Sequence, residues 1–157
     1  MRKIRAVLDT SAFIYLQDFS IFEEIYTVPE VFEEVKDRGS KLKLSGLNVV
    51  VLEPSEESVK EVEKVAAQTG DIEKMSRTDI KILSLAVEKN LPIISDDRCV
   101  QNVARKLGLQ FLSMFNPSIR KLIAWEYFCP FCGKVFSKGK EKCDVCGGSL
   151  KRRPKKN

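Results

Sequence analysis

Ile4-Arg5-Ala6-Val7-Leu8-Asp9-Thr10-Ser11 is the stretch whose reading decides the fold. Ile4–Leu8 is a short apolar run of the length of a buried strand, and an acid closes it. Thr10–Gln17 then reads as the start of a helix. A strand that ends on a carboxylate and feeds a helix is the opening unit of an open α/β sheet. Such sheets bind ligands beyond the carboxyl ends of their strands. Asp9 stands at that edge, where a buried acid without a partner carries a desolvation penalty.

The alternation continues outward. Phe19–Tyr26 reads as a second short helical stretch. Pro29 opens a helix to about Lys36, with Val31, Phe32 and Val35 on one stripe. Residues 39–46 read as an exposed loop and Leu47–Leu52 as a second strand. Ser55 caps a helix to about Gln68, and residues 69–75 form a polar connection. Ser76 and Asp79 have capping-box spacing, with Asp in place of the usual Glu or Gln. Asn90 suits a left-handed helix end, and Pro92 prevents continuation. Pro92–Ser95 is a third strand, Asp96 or Asp97 starts the next helix, and Leu109–Leu112 is a fourth strand. The expected architecture is α/β, a parallel sheet flanked by helices, over residues 1–116.

Charge separates the rest of the chain. The net charge of +5 hides 18 basic and 19 acidic side chains in residues 1–125, against 9 and 3 in residues 126–157. A positive field of this kind suits a polyanion. Residues 117–125 read as a connector and 126–150 as a small metal-held domain. Residues 151–157 read as a basic, flexible tail. No apolar run has membrane-span length and no signal-peptide pattern opens the chain, so the expected location is the cytoplasm, without a membrane partner.

Cys129-Pro130-Phe131-Cys132-Gly133 and Cys143-Asp144-Val145-Cys146-Gly147 are two Cys-x-x-Cys-Gly turns. Each presents two thiolates, so together they supply four ligands at tetrahedral geometry, which fits one structural zinc ion. A segment this short buries too little core to fold without metal. Two disulfides, a redox pair or an iron centre are the alternatives. Cys99 lies elsewhere and reads as a small core residue.

The chain contains no histidine. That excludes a Ser-His-Asp triad and RNA cleavage with an imidazole base. Asp9 and Asp97 follow strands, Asp79 opens a helix, and Glu34 lies on the helix after Pro29 with Phe32 and Val35 beside it, while Glu33 could equally face solvent. Carboxylates converging at one sheet edge repel one another, and one or two Mg²⁺ or Mn²⁺ ions relieve that. Metal-held water can then attack phosphorus, which requires no histidine. Taken singly, Asp79 and Asp97 also fit plain helix caps, and Glu34 a solvated charge. No Walker or Gly-x-Gly-x-x-Gly loop is present.

Val7-Leu8-Asp9-Thr10-Ser11-Ala12-Phe13-Ile14 resembles the opening of a PIN-domain nuclease. Val28–Val35, with Glu34 as the matching acid, is similar to that family's second acidic motif. Ser76–Asp79 followed by Leu83–Ala86 resembles its third, and Ile94-Ser95-Asp96-Asp97 its fourth. Followed by a zinc ribbon, these resemble the Nob family in its compact archaeal form. The resemblance implies a metal-dependent endoribonuclease that trims precursor small-subunit rRNA near its mature 3′ end, on the pre-ribosomal small subunit. Asp9, Glu34, Asp79 and Asp97 would be the catalytic, metal-binding acids, with Ser11, Ser95 and Asp96 auxiliary. Hydrolysis by water would leave a 5′-phosphate and a 3′-hydroxyl. Lys134, Lys138, Lys140, Lys151, Arg152 and Arg153 are the candidate phosphate contacts. Trp125, Phe131 or Phe136 are candidates to stack on a base. The rivals are a non-catalytic RNA-binding scaffold and a toxin-like nuclease of tRNA or mRNA.

Overall fold

The computed structural model describes residues 3–37, 46–114, 125–136 and 141–155. Five strands, β1 (Ile4–Leu8), β2 (Phe22–Thr27), β3 (Val49–Val51), β4 (Ile93–Ile94) and β5 (Phe111–Leu112), form a parallel sheet of order β3-β2-β1-β4-β5. Helices α1 (Thr10–Tyr15), α2 (Pro29–Asp37), α3 (Glu56–Thr69), α4 (Arg77–Lys89) and α5 (Arg98–Lys106) join them. A single turn of 3-10 helix, Ile72–Lys74, lies between α3 and α4. The central strand β1 supplies Ala6, Val7 and Leu8 to a core that α4 covers with Ile80, Leu83 and Ala86. No helix among the described residues is long and apolar enough to cross a membrane.

The helix ends follow local chemistry. Ser55 accepts from the Ser58 amide at 3.2 Å to start α3. Ser76 and Asp79 form a reciprocal capping box on α4, and Asn90 ends it at φ 51°.

The helix expected over Phe19–Tyr26 is instead strand β2. A register irregularity explains the misreading: Ile4 pairs with Phe22 and Arg5 with Glu24, which leaves Glu23 as an extra residue. The bulge puts the buried Phe22 and Ile25 three positions apart, a helical spacing inside a strand. Arg5 holds Glu23 and Glu24 at 3.4 and 3.5 Å. The residue 39–46 loop and the 117–125 connector lie outside the described residues except for Gly46 and Trp125, and Trp125 already belongs to a strand.

A second, antiparallel sheet has the order β7-β6-β8, from β6 (Trp125–Phe128), β7 (Val135–Phe136) and β8 (Lys151–Pro154). Strand β8 corrects the expectation of a flexible tail: residues 151–154 pair with β6 along its whole length. Alternating contacts explain it, because Arg152 faces inward beside Tyr127 while Lys151 and Arg153 flank it.

Candidate active site and cysteine centre

The carboxyl ends of β1 and β4 lie side by side, since Leu8 pairs with Ile94. Asp9 and Ser95 therefore emerge together. Asp9 is N-cap to α1; its Oδ1 accepts from the Ala12 amide at 2.9 Å and the Ser11 hydroxyl at 3.0 Å. Ser95 is fully buried, hydrogen-bonds Asp9 and accepts from the Asp97 amide at 3.1 Å. One hydroxyl thus ties two acids from different strands. Ser11 and Ser95 act by fixing Asp9.

Asp97 caps α5 through Oδ1, which takes the Cys99 and Val100 amides at 2.8 and 3.2 Å. Asp79 uses Oδ2 on the Ser76 amide at 2.9 Å. Both caps also line the cleft, so cap and ligand are compatible roles. Glu34 is exposed on α2, where its Oε2 accepts from the Thr10 hydroxyl at 2.9 Å. Asp9, Glu34, Asp79 and Asp97 line one open cleft of about 480 Å³, together with Thr10, Ser11, Tyr15 and Thr78. Thr10 and Tyr15 are site residues that sequence reasoning missed. The only available signal was their position on the short helix behind Asp9.

Burial raises the pKa of Asp9, and the neighbouring Asp79 adds to the rise. Burial likewise raises Asp79, with Asp97 adding to it. Desolvated, mutually repelling hard oxygen donors fit a divalent cation. Asp96 does not join them. Its Oδ1 accepts from the Ser113 hydroxyl and from the Met114 amide at 2.8 Å, so it fastens the chain beyond β5.

The cysteines form a different kind of centre. Among the described residues they are the one group of acidic or thiol ligands already gathered, within 4.8 Å of one another. The two turns repeat one pattern. Cys129 N donates to Lys134 O at 2.9 Å and Cys143 N to Gly148 O at 2.7 Å. Gly133 and Gly147 donate back to the first cysteine of each turn at 2.8 and 3.0 Å, with φ near +78° and +74°. Backbone amides of Cys132 and Phe131 pull the Cys129 thiol down to about 6. The Gly148 amide favours the Cys146 thiolate, but the neighbouring cysteines push that thiol up to about 12. None of the five cysteines is disulfide-bonded. Four convergent sulfurs with amide support fit a tetrahedral metal ion.

The ribbon sheet docks on the nuclease unit through residues expected to meet RNA. Arg152 lies 3.9 Å above the Trp125 ring centroid and 3.7 Å from Asp71 Oδ1. Asp71 is fully buried and accepts from Asn102 Nδ2 at 2.7 Å. Tyr127 donates its hydroxyl to Gly70 O at 3.3 Å. Arg152 and Trp125 are thereby corrected from RNA contacts to docking residues, because their binding surfaces are spent on each other and on Asp71. Cys99 is also at this seam and not in the core; burial pushes its thiol up to about 11, with Asp71 beside it. Arg153 lies over Phe128 and bonds Glu126 at 2.8 Å, yet stays partly exposed. Lys134 lies over Phe136, Lys151 is exposed, and Lys138 and Lys140 fall outside the described residues. Phe131 is exposed, with its ring against Gly148.

An acidic cleft at the carboxyl edge of a β3-β2-β1-β4-β5 sheet, ringed by helix caps, is that of a PIN-type nuclease. The family described as "PIN domain of ribonuclease" matches residues 6–88. The Endoribonuclease Nob1 of Pyrococcus abyssi is 41% identical over 98% of this chain and 96% of its own length. Ribonuclease VapC1 of Thermoplasma acidophilum is 38% identical over 93% of this chain and 76% of its own. A solved PilT N-terminus domain protein of Sulfolobus solfataricus shares the fold at TM-score 0.50 and 16% identity, over 70% of this chain and 87% of that one. The chain belongs to the Nob1 family of PIN-domain endoribonucleases.

Proposed function

We propose that this endoribonuclease cleaves precursor small-subunit rRNA near its mature 3′ end, on the pre-ribosomal small subunit and in the cytoplasm. The observation that carries the chemistry is that acids from α1, α2, α4 and α5 share one cleft. Match along nearly the whole length of Nob1 relatives, ribbon included, supports the rRNA target. One or two Mg²⁺ or Mn²⁺ ions held by Asp9, Glu34, Asp79 and Asp97 would activate water and stabilise the departing oxygen, leaving a 5′-phosphate and a 3′-hydroxyl. Asp9 is the anchor, held by hydrogen bonds from Ser11, Ser95 and the Ala12 amide. Thr10 holds Glu34 at the rim. Cys129, Cys132, Cys143 and Cys146 would hold one structural zinc ion, since a closed four-thiolate set has no position open for substrate. We read residues 1–116 as the nuclease unit and 125–154 as the ribbon, with Lys134, Lys151 and Arg153 left to meet phosphates.

The test maps cuts on precursor rRNA. Asp9→Asn should lower kcat/KM by about 10³-fold, the rate equivalent of several kcal/mol of charge stabilisation. Folding and RNA binding should be retained. Cuts by Asp9→Asn at the wild-type rate would sink the assigned site. VapC1 similarity supports one rival, a nuclease of tRNA or mRNA. Preferential cutting of those RNAs over precursor rRNA would favour it.

A further inference from the structure

Tyr15 lines the acid cleft and also a second cavity of about 380 Å³ beside it. The rest of that groove includes Leu16, Ile21, Ile94, Leu112 and Met114, with Gln17 and Ser113 at its polar points. Every described residue lining it is uncharged. Tyr15 and Leu112 are 57% and 49% exposed, although both are large and apolar in body. Asp9 and Tyr15 bracket α1, so their backbones are about 9 Å apart along the axis of one helical segment.

We propose that this groove holds the nucleobase next to the scissile phosphate, stacked on Tyr15. The inference rests on the reading of the acid cleft as an RNA-cleaving site. A strand crossing that cleft must continue on both sides of the bond that breaks. Among the described residues, a phosphate finds no cation in the groove and a charged side chain finds no counter-charge. A flat, neutral base finds an aromatic face, aliphatic walls and the polarisable sulfur of Met114. Gln17, exposed at the groove's edge, offers hydrogen bonds to a base edge. Tyr15 is thus a positioning residue that would set which base is tolerated beside the cut.

The experiment has a binding arm and a cleavage arm, both with the full chain. In the first, short RNAs spanning the mapped cut carry 5-iodouridine at each position in turn. They are irradiated on the Asp9→Asn variant with Mg²⁺, and the adduct is located by mass spectrometry. One position flanking the cut should crosslink to Tyr15. In the second, an abasic nucleotide at that position should lower wild-type kcat/KM about tenfold, the loss expected for one stacked base. The same abasic RNA should cost Tyr15→Leu less than twofold, while Tyr15→Phe should cleave intact RNA within twofold of wild type. Absence of any crosslink to Tyr15 would overturn the proposal. So would an abasic penalty as large in Tyr15→Leu as in wild type. If Tyr15→Leu changes sedimentation and leaves RNA handling intact, the groove serves self-association and the proposal falls. Wild type that cuts no RNA would instead defeat the cleft assignment on which the proposal rests, whereas cutting without the Tyr15 crosslink defeats the groove alone.

Discussion

The acid cleft and the cysteine centre both gather like charges for a cation, but they are assembled in opposite ways. The cysteines come from two turns that each make their own hydrogen bonds, and their sulfurs lie within 4.8 Å of one another. The acids come from four helices spread from Asp9 to Asp97, and they line a wider space. Local assembly makes the ribbon depend on its ion for a fold. Tertiary assembly makes the cleft depend on the fold for its ions. The first region should fail by unfolding and the second by losing chemistry alone.

Three measurements would break or sharpen that contrast, and the largest effect belongs to the ribbon. Structural zinc contributes about 10–16 kcal/mol to small four-ligand domains. Cys143→Ser should therefore abolish the dispersed NMR resonances of 125–154 and leave those of 3–114 in place. Retained ribbon resonances in the zinc-depleted variant would end the distinction. The second effect lies at the seam between the two regions. Asp71→Ala removes the buried partner of Arg152 and Asn102, and should destabilise docking by about 3–5 kcal/mol. Faster, independent tumbling of the ribbon in relaxation measurements is the expected readout; unchanged relaxation would show that Tyr127 and Trp125 suffice.

The smallest effect is a pH dependence confined to the cleft. Burial raises the folded-state pKa of Asp9 and Asp79 above the ordinary 3.8. For a raised acid, the destabilising penalty is fully present above the folded value and disappears below the unfolded one. The metal-free nuclease unit should thus gain stability as pH falls through that window. Mn²⁺ affinity should weaken over the same range, because protons compete for the same oxygens. Calorimetric titration at several pH values checks both, and a flat Mn²⁺ Kd would sink the argument.

Local signals were legible in the sequence and tertiary ones were not. Ser76 with Asp79, Asn90 and the two cysteine turns act within a few residues, and each stands where its spacing placed it. The acids of the cleft were legible as positions on strand and helix ends. Strand β2 was hidden because its partner strand imposes a bulge that the sequence of β2 alone does not announce. Arg152 was misread for a related reason. A basic run looks solvated until a buried Asp71, far away in the chain, claims its middle member. Asp96 and Asp97 are neighbours of the same charge, and only the path of the chain after β5 separates a fastener from a ligand.

Gly70 stands at the C-cap of α3 with φ +79°, and a Cβ there would come within 2.6 Å of the Trp125 Cβ and 2.8 Å of its carbonyl oxygen. Two unrelated demands, ending a helix and admitting the backbone of Trp125, fall on a single missing carbon. Neither can be relaxed by itself. Anyone wishing to graft this ribbon onto another nuclease would have to transplant the end of α3 with it.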